Sequence, residues 1–299
     1  MLSKYVVRRF FIAGTVMIAL AVPFASIGGA ASTTSPEPTS TFYLDLGGSG
    51  SVGVQPTAAE PHGQPTTNGY ANFLVTMEAA AGHNYQLTQL GCPGETTAMA
   101  LNGGDRCYVA PTSQLAAATS FLSQNSGESG LVTVDLGFNN VVGCLRQASD
   151  VTSCVLQGLA LIRQQLPLFL TSLKTAAGPG VTFVGVGHYD PFLADALQGS
   201  SGIAMAKTSL WAISALNRTL LGIYQGAGIP MANVAQAFSL HTRTPMALAG
   251  SGMVAANVAN TCRMTWMCQP APYGPNLHPN NAGYLAIANA IAAKIGATS

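Results

Sequence analysis

Short apolar runs alternate with longer stretches of helical periodicity along the chain. The short runs combine β-branched, aromatic and leucine residues and predict strands at 41–46, 85–90, 131–136 and 181–186. The longer stretches carry apolar residues every three or four positions and predict helices at 70–81, 114–124, 155–176, 206–225 and 282–295. This alternation predicts a parallel sheet covered by helices, a doubly wound α/β domain. Ligands of such sheets bind beyond the carboxyl ends of the strands, so we expect functional residues in the loops that follow strands.

A glycine-rich turn, residues 47–53 (GGSGSVG), follows the first predicted strand. One interpretation is a dinucleotide-binding loop, because Gly48, Gly50 and Gly53 match its glycine spacing. That interpretation also needs an acidic residue about twenty positions further on, at the end of the second strand. Glu78 falls inside a predicted helix instead. The competing interpretation is that the turn presents a serine hydroxyl at the edge of the sheet.

The same turn resembles the first sequence block of the SGNH (GDSL-like) hydrolase family. Three further segments resemble the later blocks in the same order: residues 90–97 (LGCPGETT), 137–140 (GFNN) and 276–284 (NLHPNNAGY). The similarity covers essentially all of the chain after residue 40 and is strongest to exported actinobacterial members. It implies a three-layer α/β/α sandwich with a mostly parallel five-stranded sheet, and an ester hydrolase that needs neither cofactor nor metal.

The resemblance assigns catalytic roles to individual residues. It implies that Ser49 is the nucleophile and that His278 is its general base. The oxyanion hole would consist of the backbone amides of Ser49 and Gly94 and the side-chain amide of Asn139. These residue types suit acyl transfer, because a serine hydroxyl needs a base to take its proton and the tetrahedral intermediate needs preorganised donors.

The chain departs from the family pattern at the acid that orients the histidine. The family aspartate usually lies three residues before the histidine, where this chain has Pro275, and related exported members have an acid two residues before, at Asn276. Some members use a main-chain carbonyl instead, which Pro275 or Asn276 could offer to His278. Gly48 and Asn140 also replace family aspartates. The alternative function is therefore a catalytically impaired SGNH-fold protein that binds acyl or glycan ligands outside the cell.

The remaining histidines and two aspartates have no motif partner. We interpret the histidines as surface or structural residues, and the aspartates as packing or turn residues. They are His62, His83, His188, His241, Asp135 and Asp190.

The N-terminal segment has the layout of a secretory signal peptide. Basic residues precede an apolar run at 10–27, and small residues follow at 28–31. We predict a signal peptide at 1–31, a Ser/Thr/Pro-rich linker at 32–40 and one hydrolase domain at 41–299, with an uncleaved membrane anchor as the alternative.

The six cysteines all lie in the predicted exported part, as expected for an oxidising compartment. Each pair of neighbours lies within a loop-like stretch, which predicts the disulfides Cys92–Cys107, Cys144–Cys154 and Cys262–Cys268. No pair has the spacing of a zinc site.

With a formal net charge of +1 and only 8% charged residues, we do not expect the chain to bind nucleic acid. We expect a secreted monomer that acts on a small-molecule or lipid ester and makes at most transient contact with a lipid surface.

Overall fold

A computed structural model describes residues 41–147 and 149–295. The predicted signal peptide (1–31) and linker (32–40) therefore lie outside the described residues. Among the helices of the described residues, none is both long and apolar enough to span a bilayer.

A parallel five-stranded sheet forms the centre of the domain. Its strands are β1 (Thr41–Gly47), β2 (Tyr85–Gln89), β3 (Gly130–Asp135), β4 (Val181–Val186) and β5 (Met231–Ala232). Their order across the sheet is β2-β1-β3-β4-β5. The direction of the strand order changes at β1, so the loops after β1 and β3 diverge there and leave room for a ligand.

Helices cover both faces of the sheet. They are α1 (Tyr70–Ala80), α2 (Thr97–Asn102), α3 (Gln114–Gln124), α4 (Val142–Gln147), α5 (Val151–Ala177), α6 (Ser200–Gly226), α7 (Val234–Ala237), α8 (Ala256–Met264) and α9 (Asn281–Ile295). Two 3₁₀ segments follow β3 and β4, at Phe138–Asn140 and Pro191–Gln198. Two short antiparallel pairs lie outside the main sheet, β6 (Pro245–Leu248) with β7 (Gly252–Ala255), and β8 (Thr265–Trp266) with β9 (Asn276–Pro279).

Side chains alternate between two cores on opposite faces of the sheet, because successive strand residues point in opposite directions. In β1, Phe42, Leu44 and Leu46 pack with residues of α3, α5 and α6. Tyr43, between them, packs with residues of α1 and α9 on the other face. Burial on both faces explains why these strands appear as nearly continuous apolar runs in the sequence.

The observed architecture confirms the predicted fold class, a three-layer α/β/α sandwich with a parallel five-stranded sheet. The four predicted strands begin or end within one residue of the observed ones. The fifth strand, β5, has two residues, which is too short for a periodic pattern. The β8–β9 pair was not predicted either. Because of this pair, the segment that contains His278 is a strand and not a loop.

Three disulfides join Cys92 to Cys107, Cys144 to Cys154 and Cys262 to Cys268. These are the pairs that the sequence analysis predicts. The first closes the loop after β2, and the third links the end of α8 to the segment after β8. Such cross-links stabilise the fold mainly by restricting the unfolded chain.

Candidate active site

The turn after β1 holds Ser49 at the carboxyl end of the sheet. The Gly48 amide donates to the carbonyl of Asp135 over 3.1 Å, and the carbonyl of Ser49 accepts from Val54 N over 3.0 Å. Space beside Ser49 is narrow on both sides: a Cβ on Gly48 would lie 2.9 Å from Asn139 Nδ2, and a Cβ on Gly50 would overlap the Asp135 carboxylate unless these side chains moved. The turn therefore packs tightly and leaves the side chain of Ser49 facing a cleft.

Ser51, the second serine of this turn, is not available as a nucleophile. Its hydroxyl is buried and donates to the carbonyl of Gly48 over 2.8 Å. The hydroxyl of Ser49 makes no such bond with the described residues. The structure thus gives the two serines different roles, although the sequence places them in the same turn.

His278 lines the same cleft as Ser49 and lies on β9. Its ring Nδ1 is 2.7 Å from the side-chain Oδ1 of Asn276. The nitrogen of that amide faces away, because Asn276 Nδ2 donates to the backbone carbonyls of Pro61 and His62 over 3.1 and 3.2 Å. The amide oxygen must then accept from the ring, so Nδ1 carries the hydrogen and the lone pair is on Nε2.

The partner of His278 differs from the prediction. We expected a backbone carbonyl of Pro275 or Asn276, whereas the acceptor is the Asn276 side chain. The side chain is preferred because Oδ1 accepts from both Nδ1 and the backbone N–H of His278, the latter over 3.0 Å. The Asn276 side chain can therefore orient the ring of His278 without carrying a charge.

Burial lowers the pKa of His278 to about 4. The ring is therefore neutral at ordinary pH and able to accept a proton. A neutral amide stabilises the resulting imidazolium less than a carboxylate does. No hydrogen bond joins Ser49 and His278 in the described part of the chain, and in ligand-free sites such bonds often form only with substrate.

Of the three predicted oxyanion donors, Ser49 and Asn139 line the cleft and Gly94 does not. Asn139 is in the 3₁₀ segment after β3, and its Nδ2 donates to the carbonyl of Glu95 over 3.0 Å beside Gly48. Gly94 has a φ of 91°, which favours glycine. Among the described residues, neither its backbone N–H nor that of Ser49 has an acceptor. Glu95, rather than Gly94, lines the cleft.

Asn140 joins two loops of the site. Its Oδ1 accepts from Thr97 N over 3.1 Å, and its Nδ2 donates to Thr97 Oγ1 over 2.9 Å. Because Thr97 begins α2, this pair connects the loop after β3 to the loop after β2. An aspartate would accept the first bond but could not donate the second.

His188 and Asp135 also line the cleft, although sequence reasoning interpreted both as structural. Their Nδ1 and Oδ1 atoms are 3.5 Å apart, and His188 Nε2 is 3.4 Å from the carbonyl of Leu136. Burial raises the pKa of Asp135 to about 7 and lowers that of His188 to about 4. Their positions directly after β4 and at the end of β3 were the signal that could have identified them.

Two other residues, Tyr189 and Asp190, form hydrogen bonds that hold the segments around the cleft in place. Tyr189 donates its hydroxyl to the carbonyl of Leu277 over 2.8 Å and so holds the strand next to His278. Asp190 accepts from Phe192 N and Ser209 Oγ, which agrees with its interpretation as a turn residue.

Glu95 adds a buried carboxyl to the wall. Burial and the nearby Asp105 raise the pKa of Glu95 to about 8. Among the described residues, one group has metal-ligand spacing, Cys92, Asp105 and Cys107, but its two sulfurs form a disulfide.

The strand order β2-β1-β3-β4-β5 and the cleft beyond the carboxyl ends of β1 and β3 define a doubly wound α/β fold. No protein-family model and no curated protein matches the sequence.

Solved structures do match the fold. Phospholipase A1 from Streptomyces albidoflavus NA297 superposes with a TM-score of 0.55 at 19% identity, over 85% of this chain and 99% of that one. An extracellular lipase from Streptomyces rimosus gives a TM-score of 0.52 at 20% identity, over 83% and 98%. The carbohydrate acetylesterase Est24 from Sinorhizobium meliloti gives 0.51 at 12% identity, over 87% and 100%.

Proposed function

We propose that the chain is a secreted serine ester hydrolase in which Ser49 is the nucleophile and His278 the general base. The observation that carries the proposal is the oriented pair of Asn276 and His278 in the cleft that Ser49 lines. An imidazole held in one tautomer, with its free nitrogen open to the cleft, is what a serine nucleophile requires.

The reaction would proceed in two halves. Ser49 Oγ attacks the ester carbonyl carbon and gives its proton to His278 Nε2. The tetrahedral intermediate collapses to an acyl-serine, and the alcohol leaves with the proton from His278. Water then attacks the acyl-serine with His278 again as base, which releases the acid and restores Ser49. In both halves the oxyanion would accept from Ser49 N, Gly94 N and Asn139 Nδ2.

The substrate that best fits is an uncharged acyl ester. The aromatic and aliphatic side chains of Phe138, Tyr189 and Leu277 line the cleft beside Ser49. Asp135 and Glu95 are the acids of its wall; with pKa values raised to about 7 and about 8, Asp135 is about half ionised at pH 7 and Glu95 is mostly protonated. A lipid-like or short soluble acyl ester therefore suits this cleft better than a strongly ionic substrate.

Secretion is supported by the three disulfides and by the predicted signal peptide at 1–31. A monomer that works without metal or cofactor remains our expectation. The check is the N-terminal sequence of protein recovered from the culture medium, which should begin near residue 32. Recovery only in the membrane fraction, with residue 1 still present, would contradict cleavage.

The decisive experiment is hydrolysis of a chromogenic ester series, from acetyl to palmitoyl, by the mature protein, Ser49→Ala and His278→Ala. Matched controls are Ser123→Ala, on the exposed side of α3, and His83→Ala, an exposed histidine outside the cleft. The proposal expects losses of several orders of magnitude for the two site variants and full activity for the controls. Equal trace activity in all five proteins would favour the ligand-binding alternative.

The oxyanion assignment has its own test. Asn139→Ala removes one donor, and such a loss typically lowers kcat by about two to three orders of magnitude. The matched control is Asn102→Ala, whose amide donates to a carbonyl within α2 and lies outside the cleft. A normal kcat for Asn139→Ala would exclude this side chain from the oxyanion hole.

A further inference from the structure

A groove lies between α6, α7 and α9, apart from the residues of the cleft. It has a volume of ≈ 540 Å³, and three basic side chains line it: Arg218, His241 and Lys294. None of the described residues that line the groove is acidic. Hydroxyl and amide groups complete the wall, including those of Asn217 and Ser239. The groove therefore offers hydrogen-bond donors and positive charge to an anion.

The part of the sequence that forms this groove contains basic residues but no acidic ones. Asp195 is the last acidic residue, and the 104 residues from 196 to 299 contain five lysines and arginines. The ion pairs of the described residues, His83 with Glu78 and His188 with Asp135, involve none of the basic residues of the groove. A positive potential at this surface is therefore not neutralised by internal pairs.

Large apolar side chains are exposed beside these charges. On α6, Trp211 and Leu221 are 38% and 40% exposed, and Arg218 lies between them. The three residues fall on one side of the helix, because their spacings of seven and three residues match whole turns. Across a shallow depression, α5 exposes Leu156, at 51%, and Arg163. Arg218 belongs to both the depression and the groove, so the surface is continuous.

We propose that this surface, defined by Leu156, Trp211, Arg218, Leu221 and Lys294 and called the basic–apolar face, docks onto a bilayer that contains anionic phospholipid. Basic side chains are attracted to anionic headgroups, and tryptophan and leucine insert at the boundary between headgroups and acyl chains. Neither α5 nor α6 contains an acidic residue that would repel such a surface. A second copy of the chain fits less well, because two identical faces would bring like charges together.

Hydrogen bonds connect a residue that lines the groove with one that lines the cleft. Asn217 lines the groove, and its amide holds both the N–H and the carbonyl of His188, each over 2.8 Å. His188 in turn lines the cleft. Docking would bring the cleft close to the lipid surface. Only this consequence rests on the proposed ester hydrolysis, because docking itself needs no catalysis.

The first test is co-sedimentation with vesicles, measured on Ser49→Ala protein so that binding is read without hydrolysis. Vesicles of phosphatidylcholine alone are compared with vesicles that also contain phosphatidylglycerol. We expect binding to the anionic vesicles, weakened by salt, and a partition coefficient about fivefold lower for each of Arg218→Gln and Lys294→Gln. The matched control, Arg106→Gln, removes an exposed arginine from the loop after α2 and should bind normally. If Arg218→Gln and Lys294→Gln both bound as well as the control Arg106→Gln, the proposal would be overturned.

The second test locates the contact. Trp211 and Trp266 are the two tryptophans of the chain, so in Trp266→Phe the tryptophan emission, excited at a wavelength that tyrosine does not absorb, comes from Trp211 alone. We expect its emission to shift to shorter wavelength on anionic vesicles and to be quenched by brominated acyl chains. Unchanged emission from vesicle-bound protein would place the contact elsewhere and overturn the proposal. Binding of glycerophosphate without any binding of vesicles would also overturn it, since the groove would then be a site for a soluble anion.

Discussion

The cleft contains two histidines, and they differ in what their ring nitrogens contact. His278 has a neutral amide on Nδ1, at 2.7 Å, and among the described residues nothing on Nε2. His188 has a carboxyl group at 3.5 Å from Nδ1 and a carbonyl at 3.4 Å from Nε2. By residue type alone, His188 with Asp135 looks more like a catalytic pair. The structure favours His278, because a general base needs an oriented ring with one nitrogen open to the substrate.

At this site, the positions of the groups that contact a histidine ring matter more than the charge of those groups. Burial lowers the pKa of both histidines to about 4. Both are therefore neutral near pH 7, and charge state cannot distinguish them. What distinguishes them is that protein atoms face both nitrogens of His188.

The largest expected effect separates the two histidines directly. His278→Gln should lower kcat/KM by about four orders of magnitude, because no other group takes the serine proton. His188→Gln should lower it less than about tenfold, because an amide can still donate to the carbonyl of Leu136. Both values of kcat/KM are to be measured by steady-state kinetics with the ester that the wild type hydrolyses fastest. A similar loss in both variants would contradict the distinction.

A smaller effect is expected at the partner of His278. Asn276→Ala removes the acceptor of Nδ1, so the ring no longer favours the reactive tautomer, and kcat should fall by about 100-fold with little change in KM. Asn276→Asp keeps an acceptor and should retain about tenfold more activity than Asn276→Ala. If the alanine variant has the kcat of the wild type, the amide does not orient the base.

The pH dependence tests the role of charge. With the pKa of His278 lowered to about 4, the base is neutral above that value, and kcat/KM should fall only below about pH 4. In Asn276→Asp a carboxylate next to the ring raises the pKa of His278, so the acid limb should move up by about one unit or more. Asn276→Ala serves as the uncharged control. A wild-type limb near pH 6.5 would contradict the burial of the ring.

The smallest expected effect concerns Asp135 and is measured as a change in the free energy of unfolding with pH. Its pKa in the folded protein, about 7, lies above the ordinary value of 3.8, so the folded state holds this proton more tightly than the unfolded state. That contribution is complete at low pH and is lost as the pH rises through 7. Between about pH 6.5 and 8 the loss amounts to about 1 kcal/mol.

Thermal unfolding of Asp135→Asn should therefore depend less on pH across this interval than that of the wild type. Glu128→Gln, which changes an exposed carboxylate after α3, is the matched control and should behave like the wild type. An unchanged slope for Asp135→Asn would show that this carboxyl group is already ionised at pH 6.5.

Local patterns in the sequence were sufficient for four of the five strands of the sheet and for five of the helices around it. Burial on both faces of β1, β3 and β4 gives apolar runs, and one buried face gives α3 and α9 their period. Strands β5 and β8 have two residues each, which is too few to show a periodic pattern of apolar positions. Their pairing depends on the strands beside them, so a sequence pattern has no means to indicate it.

The sequence by itself determined the α/β class and the glycine turn that presents Ser49. These two features follow from periodicity and from backbone freedom at glycine, which are local properties. Asn139 and His278 were indicated only by the resemblance of their segments to the blocks of a known family.

Only the tertiary structure decided how the histidines differ. The orientation of the Asn276 amide depends on the carbonyls of Pro61 and His62, more than 200 positions away in the chain. The pairing of His188 with Asp135 likewise joins the ends of two neighbouring strands. Contacts between distant segments have no local signature, because each partner satisfies a polar group whose position is set by the packing of the whole domain.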